Sequence, residues 1–248
     1  MKPCNLLFTC LVFCIACKKD IIPKKEGNFR LNFDHKIGTA ALKLGATVYK
    51  NPSAEDFTIS TFKYYISNVY LVKMDNSVQA LPASYHLVDE SKTDSKSILL
   101  LAPQGEYRAI GFKLGVDSTR NVSGAQTDAL DPVLGMFWSW NSGYIMVKME
   151  GASPLSAAAN HMLTFHIGGF KGQYNAVQDI RIQTPISITV GPDREPAVTF
   201  AVDANAMFGQ PNPVSFATSA TIHAPGEAAW KISENYKNMF RITNVTDL

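Results

Sequence analysis

The chain has 248 residues, 46% hydrophobic and 18% charged, with Lys and Arg exceeding Asp and Glu by a formal +2. That length supports one sizeable domain or two small ones. The positive balance is local: Lys2, Lys18, Lys19, Lys24 and Lys25 precede Gly27, and beyond them 18 basic face 19 acidic side chains. No basic stripe is left for a phosphate backbone, so nucleic acid is excluded as a partner.

In chain order, Lys2 is followed by an apolar run from Leu6 to Ala16. A positive start, a greasy core of roughly 10 residues and small residues at the cut form the layout of a secretory signal. The core falls well short of the ~20 residues that cross a bilayer. The segment Cys14-Ile15-Ala16-Cys17 resembles a bacterial lipobox, in which the cysteine after a small residue becomes thioether-linked to diacylglycerol. Residues 1–16 are therefore expected as a signal peptide and residues 17–27 as a charged tether, lipid-anchored at Cys17. Residues 28–248 are expected as one domain. The expected location is the cell envelope, on a membrane surface and with the outer membrane favoured.

All four cysteines, Cys4, Cys10, Cys14 and Cys17, lie in the signal or at its cut. The exported domain then keeps no free thiol. An exported protein is allowed disulfides, but this one has none to make, and a metal site in it must do without thiolate.

Beyond the tether, period-two alternation dominates. Phe29, Leu31 and Phe33 alternate with Arg30, Asn32 and Asp34, the pattern of a half-buried strand. Phe57 to Met74 reads as two consecutive strands. Tyr85–Val88, Ile98–Leu101, Tyr107–Val116, Tyr144–Glu150, His161–Ile167, Ile180–Val190 and Ala197–Val202 continue the series, punctuated by turns such as Asn51-Pro52 and Gly191-Pro192-Asp193. About ten short strands at this spacing predict an all-β fold, an antiparallel β-sandwich. One short C-terminal helix is predicted where Ile232, Tyr236, Met239 and Phe240 share a helical face.

Familiar catalytic patterns are missing: there is no Gly-x-Ser-x-Gly elbow, no phosphate-binding loop and no His-Glu-x-x-His. The expectation is a binding protein and not an enzyme. Two features stand out. In Asp131 to Tyr144 four aromatics, Phe137, Trp138, Trp140 and Tyr144, fall within eight residues. Such a cluster is either a hydrophobic plug or, with indoles exposed, a surface for stacking sugars or docking a protein. The histidines are the second feature. His35 shares the parity of Phe29, Leu31 and Phe33 and should start toward the core. His166 has the opposite parity to Leu163, Phe165 and Ile167 and shares a face with Met162 and Thr164. Each could be a hydrogen-bonded structural residue; imidazole and thioether can also hold reduced copper. His86, His161 and His223 have weaker claims, and His223 precedes the predicted helix.

These residues carry a resemblance. Asn32-Phe33-Asp34-His35, Lys63-Tyr64-Tyr65-Ile66-Ser67-Asn68-Val69, Leu87-Val88-Asp89, Gly115-Val116-Asp117 with Asn121, the Asp131–Gly143 motif, Lys148-Met149-Glu150-Gly151, Phe165-His166-Ile167-Gly168 and Asn235-Tyr236-x-x-Met239-Phe240 occur in one order. Together they resemble the MbnP-like copper-binding family of periplasmic proteins, some members of which accompany methanobactin gene clusters. The resemblance implies a β-rich domain that binds copper through histidine, with His35 and His166 as ligands. It also implies that a tryptophan, Trp138 or Trp140, can be oxidised to kynurenine by a partner di-haem enzyme. Met136 and Met162 are the residues expected to line the site, and the implied partners are the membrane, that enzyme or a copper transporter.

Overall fold

The computed structural model describes residues 25–124, 126–139 and 142–246. The expected signal peptide and Cys17 lie outside the described residues. These form fifteen strands and two helices, joined by turns and short 3-10 segments. The first strands are β1 (Glu26–Ile37), β2 (Ala40–Ala41), β3 (Tyr49–Lys50), β4 (Asp56–Lys73), β5 (Val78–Ala80), β6 (Tyr85–Asp89), β7 (Ser97–Pro103) and β8 (Gly105–Leu114). The one-turn helix α1 (Ser118–Asn121) follows, then β9 (Phe137–Ser139), β10 (Gly143–Ala152), β11 (Met162–Gly168), β12 (Gln178–Val190), β13 (Ala197–Asp203) and β14 (Thr221–Ile222). Helix α2 (Glu227–Tyr236) and β15 (Phe240–Thr246) complete the order.

Two sheets pack face to face. The smaller runs β15-β13-β1-β2, with β7 also on β1; the larger runs β12-β8-β4-β10-β11-β14, with β3, β5 and β6 on β4 and β9 on β10. The expected all-β sandwich is thus present. Its pairing is mostly antiparallel, with β1–β13 and β11–β14 running parallel. Alternation places Phe29, Leu31 and Phe33 of β1 inward, all buried. Phe33 stacks on Phe200 at 5.6 Å, and Phe240 meets both Phe112 at 5.1 Å and Tyr64 at 5.7 Å. Rings from both sheets therefore interlock across the core, each worth roughly 1.5–3 kcal/mol in burial.

Three expectations change. The span expected as two strands is one strand of 18 residues, β4. Asn68 adopts φ +50 within it, but the ladder continues across the bend to β8. The predicted terminal helix ends at Tyr236, and Phe240 opens a strand that pairs with β13. Ile242, Thr243, Val245 and Thr246 supply the β-branched side chains that favour a strand there. Finally, β1 begins at Glu26, so Glu26 and Gly27 belong to the sheet and not to the tether.

The larger sheet also carries apolar side chains on its outer face. Tyr65 and Tyr144 meet edge to face at 5.8 Å, and Phe137 lies 4.8 Å from Tyr144. The segment after β8 closes over them, pinned by the buried Asn121. Its amide donates to the carbonyls of Val116 (2.6 Å) and Asp117 (2.9 Å) and accepts from the Tyr144 N–H (2.8 Å). Part of the aromatic motif is therefore a hydrophobic plug.

At Gly151 β10 runs so close to β4 that a Cβ would lie 1.9 Å from the Thr58 carbonyl oxygen. Backbone cannot yield as a side chain can. Gly151→Ala is expected to cost about 1–3 kcal/mol through forced strand separation, read as a lower midpoint in urea unfolding.

Candidate functional site

His35 projects from β1 into the interior. Its Nδ1 lies 2.7 Å from Glu90 Oε2 and its Nε2 lies 2.8 Å from the Tyr64 hydroxyl. A carboxylate only accepts, so Nδ1 donates to Glu90, and Nε2 is paired with the Tyr64 hydroxyl. Burial alone would raise the Glu90 pKa, but hydrogen bonds from His35 and Lys96 outweigh it and hold the carboxyl below its ordinary value. Burial, reinforced by Glu90, pushes the Tyr64 hydroxyl well up, so it remains a donor. Both ring nitrogens are committed. His35 is a strut that ties β1 to the larger sheet.

His166 lies on the other side of that sheet. On β4, Tyr64 faces His35 while its neighbour Lys63 pairs with Lys148, which pairs in turn with His166. Consecutive strand residues point to opposite faces. The expected pairing of His35 with His166 as ligands of one metal is therefore corrected: the thickness of the sheet separates them.

Around His166 a different group assembles. Its Nε2 lies 2.7 Å from Glu150 Oε1, and Lys148 Nζ lies 3.3 Å from the same oxygen. Glu150 is held below its ordinary pKa: burial raises it, and hydrogen bonds from His166 and Thr61 with the charge of Lys148 more than compensate. Nε2 thus donates, and the lone pair of His166 sits on Nδ1. Burial lowers the His166 pKa; the Glu150 hydrogen bond opposes this, while Lys148 and His223 repel the added proton. His223 stands close by because Ile222 of β14 pairs with Phe165, which brings the next residue alongside His166.

The aromatic motif reaches the same place. A Cβ on Gly168 would lie 2.5 Å from Cζ3 and 2.9 Å from Cη2 of Trp138, so the indole is seated against bare backbone. Gly168 shares the outward parity of His166, two residues away. The Lys148 ammonium reaches the Gly135 carbonyl at 3.3 Å and ties the turn before Trp138 to this face. Trp140 lies outside the described residues. Met136 is fully buried in the core. Met162 is 42% exposed on the outer face, but four residues from His166 along the strand, ~13 Å. Among the described residues no three His, Cys, Asp or Glu side chains converge as a metal site.

Sequence reasoning missed Glu150, Lys148, Gly168 and His223 as neighbours of His166. The alternation Lys148-Met149-Glu150 carried a signal for the first two. Nothing local marks the parallel β11–β14 pairing that recruits His223.

The fold is a β-sandwich whose outer face carries a histidine held by a carboxylate. Residues 26–224 match the family model described as MbnP, and the chain belongs to the MbnP family. Among solved structures it is similar to MbnP from Methylosinus trichosporium, at 15% sequence identity and a TM-score of 0.49, over 83% of this chain and 82% of that one. No curated protein matches.

Replacing Glu150 tests the electrostatics. The His166 midpoint in an NMR titration is expected below about 6.5, the ordinary histidine value, and Glu150→Gln should move it further down by removing its raising partner. Because the native value is the lower one, this group's contribution to stability is complete above the unfolded pKa and is lost as pH falls through the native one. An upward shift in the variant would contradict the assignment.

Proposed function

We propose that this chain is an exported, lipid-anchored binding protein of the MbnP family that takes up copper at His166, for acquisition or buffering, and catalyses no reaction. The supporting observation is the asymmetry between its two best histidines. His35 has no ring atom left to give. His166 keeps the Nδ1 lone pair, with Nε2–H fixed by Glu150, the arrangement that orients imidazole ligands in metal sites. Its lowered pKa keeps the ring neutral, as ligation requires. His223 supplies a second imidazole beside it, and imidazole suits copper. Trp138, at the edge of this face, is the indole that a partner di-haem enzyme would oxidise. The alternative of a sugar-stacking platform draws less support, since Trp138 is packed against Gly168.

Titration of the purified protein with Cu(I) against a competing chelator tests the reading. His166→Ala should weaken binding at least about tenfold, the loss of one ~1.4 kcal/mol step or more, while His35→Gln leaves affinity unchanged. Unaltered affinity in both His166→Ala and the His166→Ala/His223→Ala double variant would refute the site. For the anchor, intact mass spectrometry of protein from its native host should give a chain beginning at a diacylglycerol-modified Cys17. An unmodified N-terminus would remove that part of the proposal.

A further inference from the structure

Several of the ordered sequence motifs have no part in the His166 face: Asn68, Asp117 and the helix that follows Asp117. The structure gathers them at one place. Asp117 Oδ2 accepts from Asn68 Nδ2 at 2.6 Å and from the Tyr85 hydroxyl at 2.5 Å, while Oδ1 accepts from the Arg120 N–H at 3.2 Å. Asn68 adopts φ +50 to take part, a conformation that asparagine tolerates better than most residues. This network fixes Tyr85, and the Arg120 guanidinium lies 5.5 Å from the centre of its ring. Arg120 Nη1 also donates to Gln126 Oε1 at 3.1 Å. The cation is held from two sides.

Arg120 borders a cleft of about 200 Å3, whose other walls include Tyr85, Thr127, Asp128 and Leu130. That is the space of roughly seven waters at ~30 Å3 each, enough for a molecule of amino-acid size. Asp128 is placed by a left-handed backbone, φ +55, and its Oδ2 accepts from the Thr127 hydroxyl at 3.2 Å. Among the described residues neither Arg120 nor Asp128 forms an ion pair. Two opposite charges thus border one small cleft without meeting each other.

The geometry points to a second binding site here, for a small zwitterion carrying a carboxylate and an ammonium group, such as a free α-amino acid. The guanidinium fork matches a carboxylate with paired N–H donors, and Asp128 receives the ammonium. Each charge of the protein finds its partner in the ligand, so a molecule that bears both is favoured over one that bears either alone. The site is independent of copper and of the His166 face.

Calorimetric titration of the full chain without metal tests this, with L-alanine, L-serine and L-leucine as probes and propionate and propylamine as single-charge controls. Saturable binding of at least one amino acid is expected, at least tenfold tighter than either control. Arg120→Gln and Asp128→Asn should each weaken it at least tenfold while still giving a cooperative thermal unfolding transition, and His166→Ala should leave it unchanged. Asn keeps the left-handed backbone at position 128, so that variant isolates charge. The inference is overturned if no amino acid saturates, if propionate binds as well as the zwitterions, or if either charge variant binds as the parent does.

Discussion

Alternation along β4 is the constraint on which the rest depends. This single strand has 18 residues, and in its central stretch Phe62, Tyr64 and Ile66 enter the sandwich while Lys63 and Tyr65 leave it, the parity being reset by irregularities on either side. Tyr64 goes inward to His35, completing a hydrogen-bonded strut between the sheets. Lys63, one residue earlier, goes outward to the row that ends at His166. Tyr65 also goes outward and anchors the aromatic plug through Tyr144. One backbone thereby serves two layers. The chemistry on each is insulated from the other by the thickness of the sheet.

This insulation gives the two histidines different characters although both lie beside a carboxylate. Inside, polar groups must be paired or they cost stability, so the His35 ring is saturated by Glu90 and Tyr64 and functions as structure. Outside, His166 needs only partial satisfaction. A ring nitrogen can stay uncommitted there because solvent is close. Availability for binding thus follows from the face of the sheet and not from residue type.

Much of this was legible in the sequence. The parity of Phe29, Leu31, Phe33 and His35 fixed β1 and the inward start of His35, and the opposite parity of His166 placed it outward. What parity cannot supply is the partner. Glu90 and Tyr64 lie 55 and 29 residues from His35, and only the register of the folded sheets brings them to its ring. The same reason hid the seat of Trp138, because Gly168 offers no side chain to attract notice. At the chain end the spacing of Ile232, Tyr236, Met239 and Phe240 satisfied a helical pattern, yet Met239 and Phe240 lie past the end of α2. Tertiary pairing with β13 decided the conformation, as propensity alone could not.

The family match ends at residue 224, whereas the Phe240 ring packs against Phe33, Tyr64, Phe112 and Phe200 at the centre of the sandwich. The core is therefore closed by a residue that lies after the matched stretch. The last strand thus acts as a keystone, its opening ring closing against Phe33 of the first strand and joining the two ends of the described chain in one core.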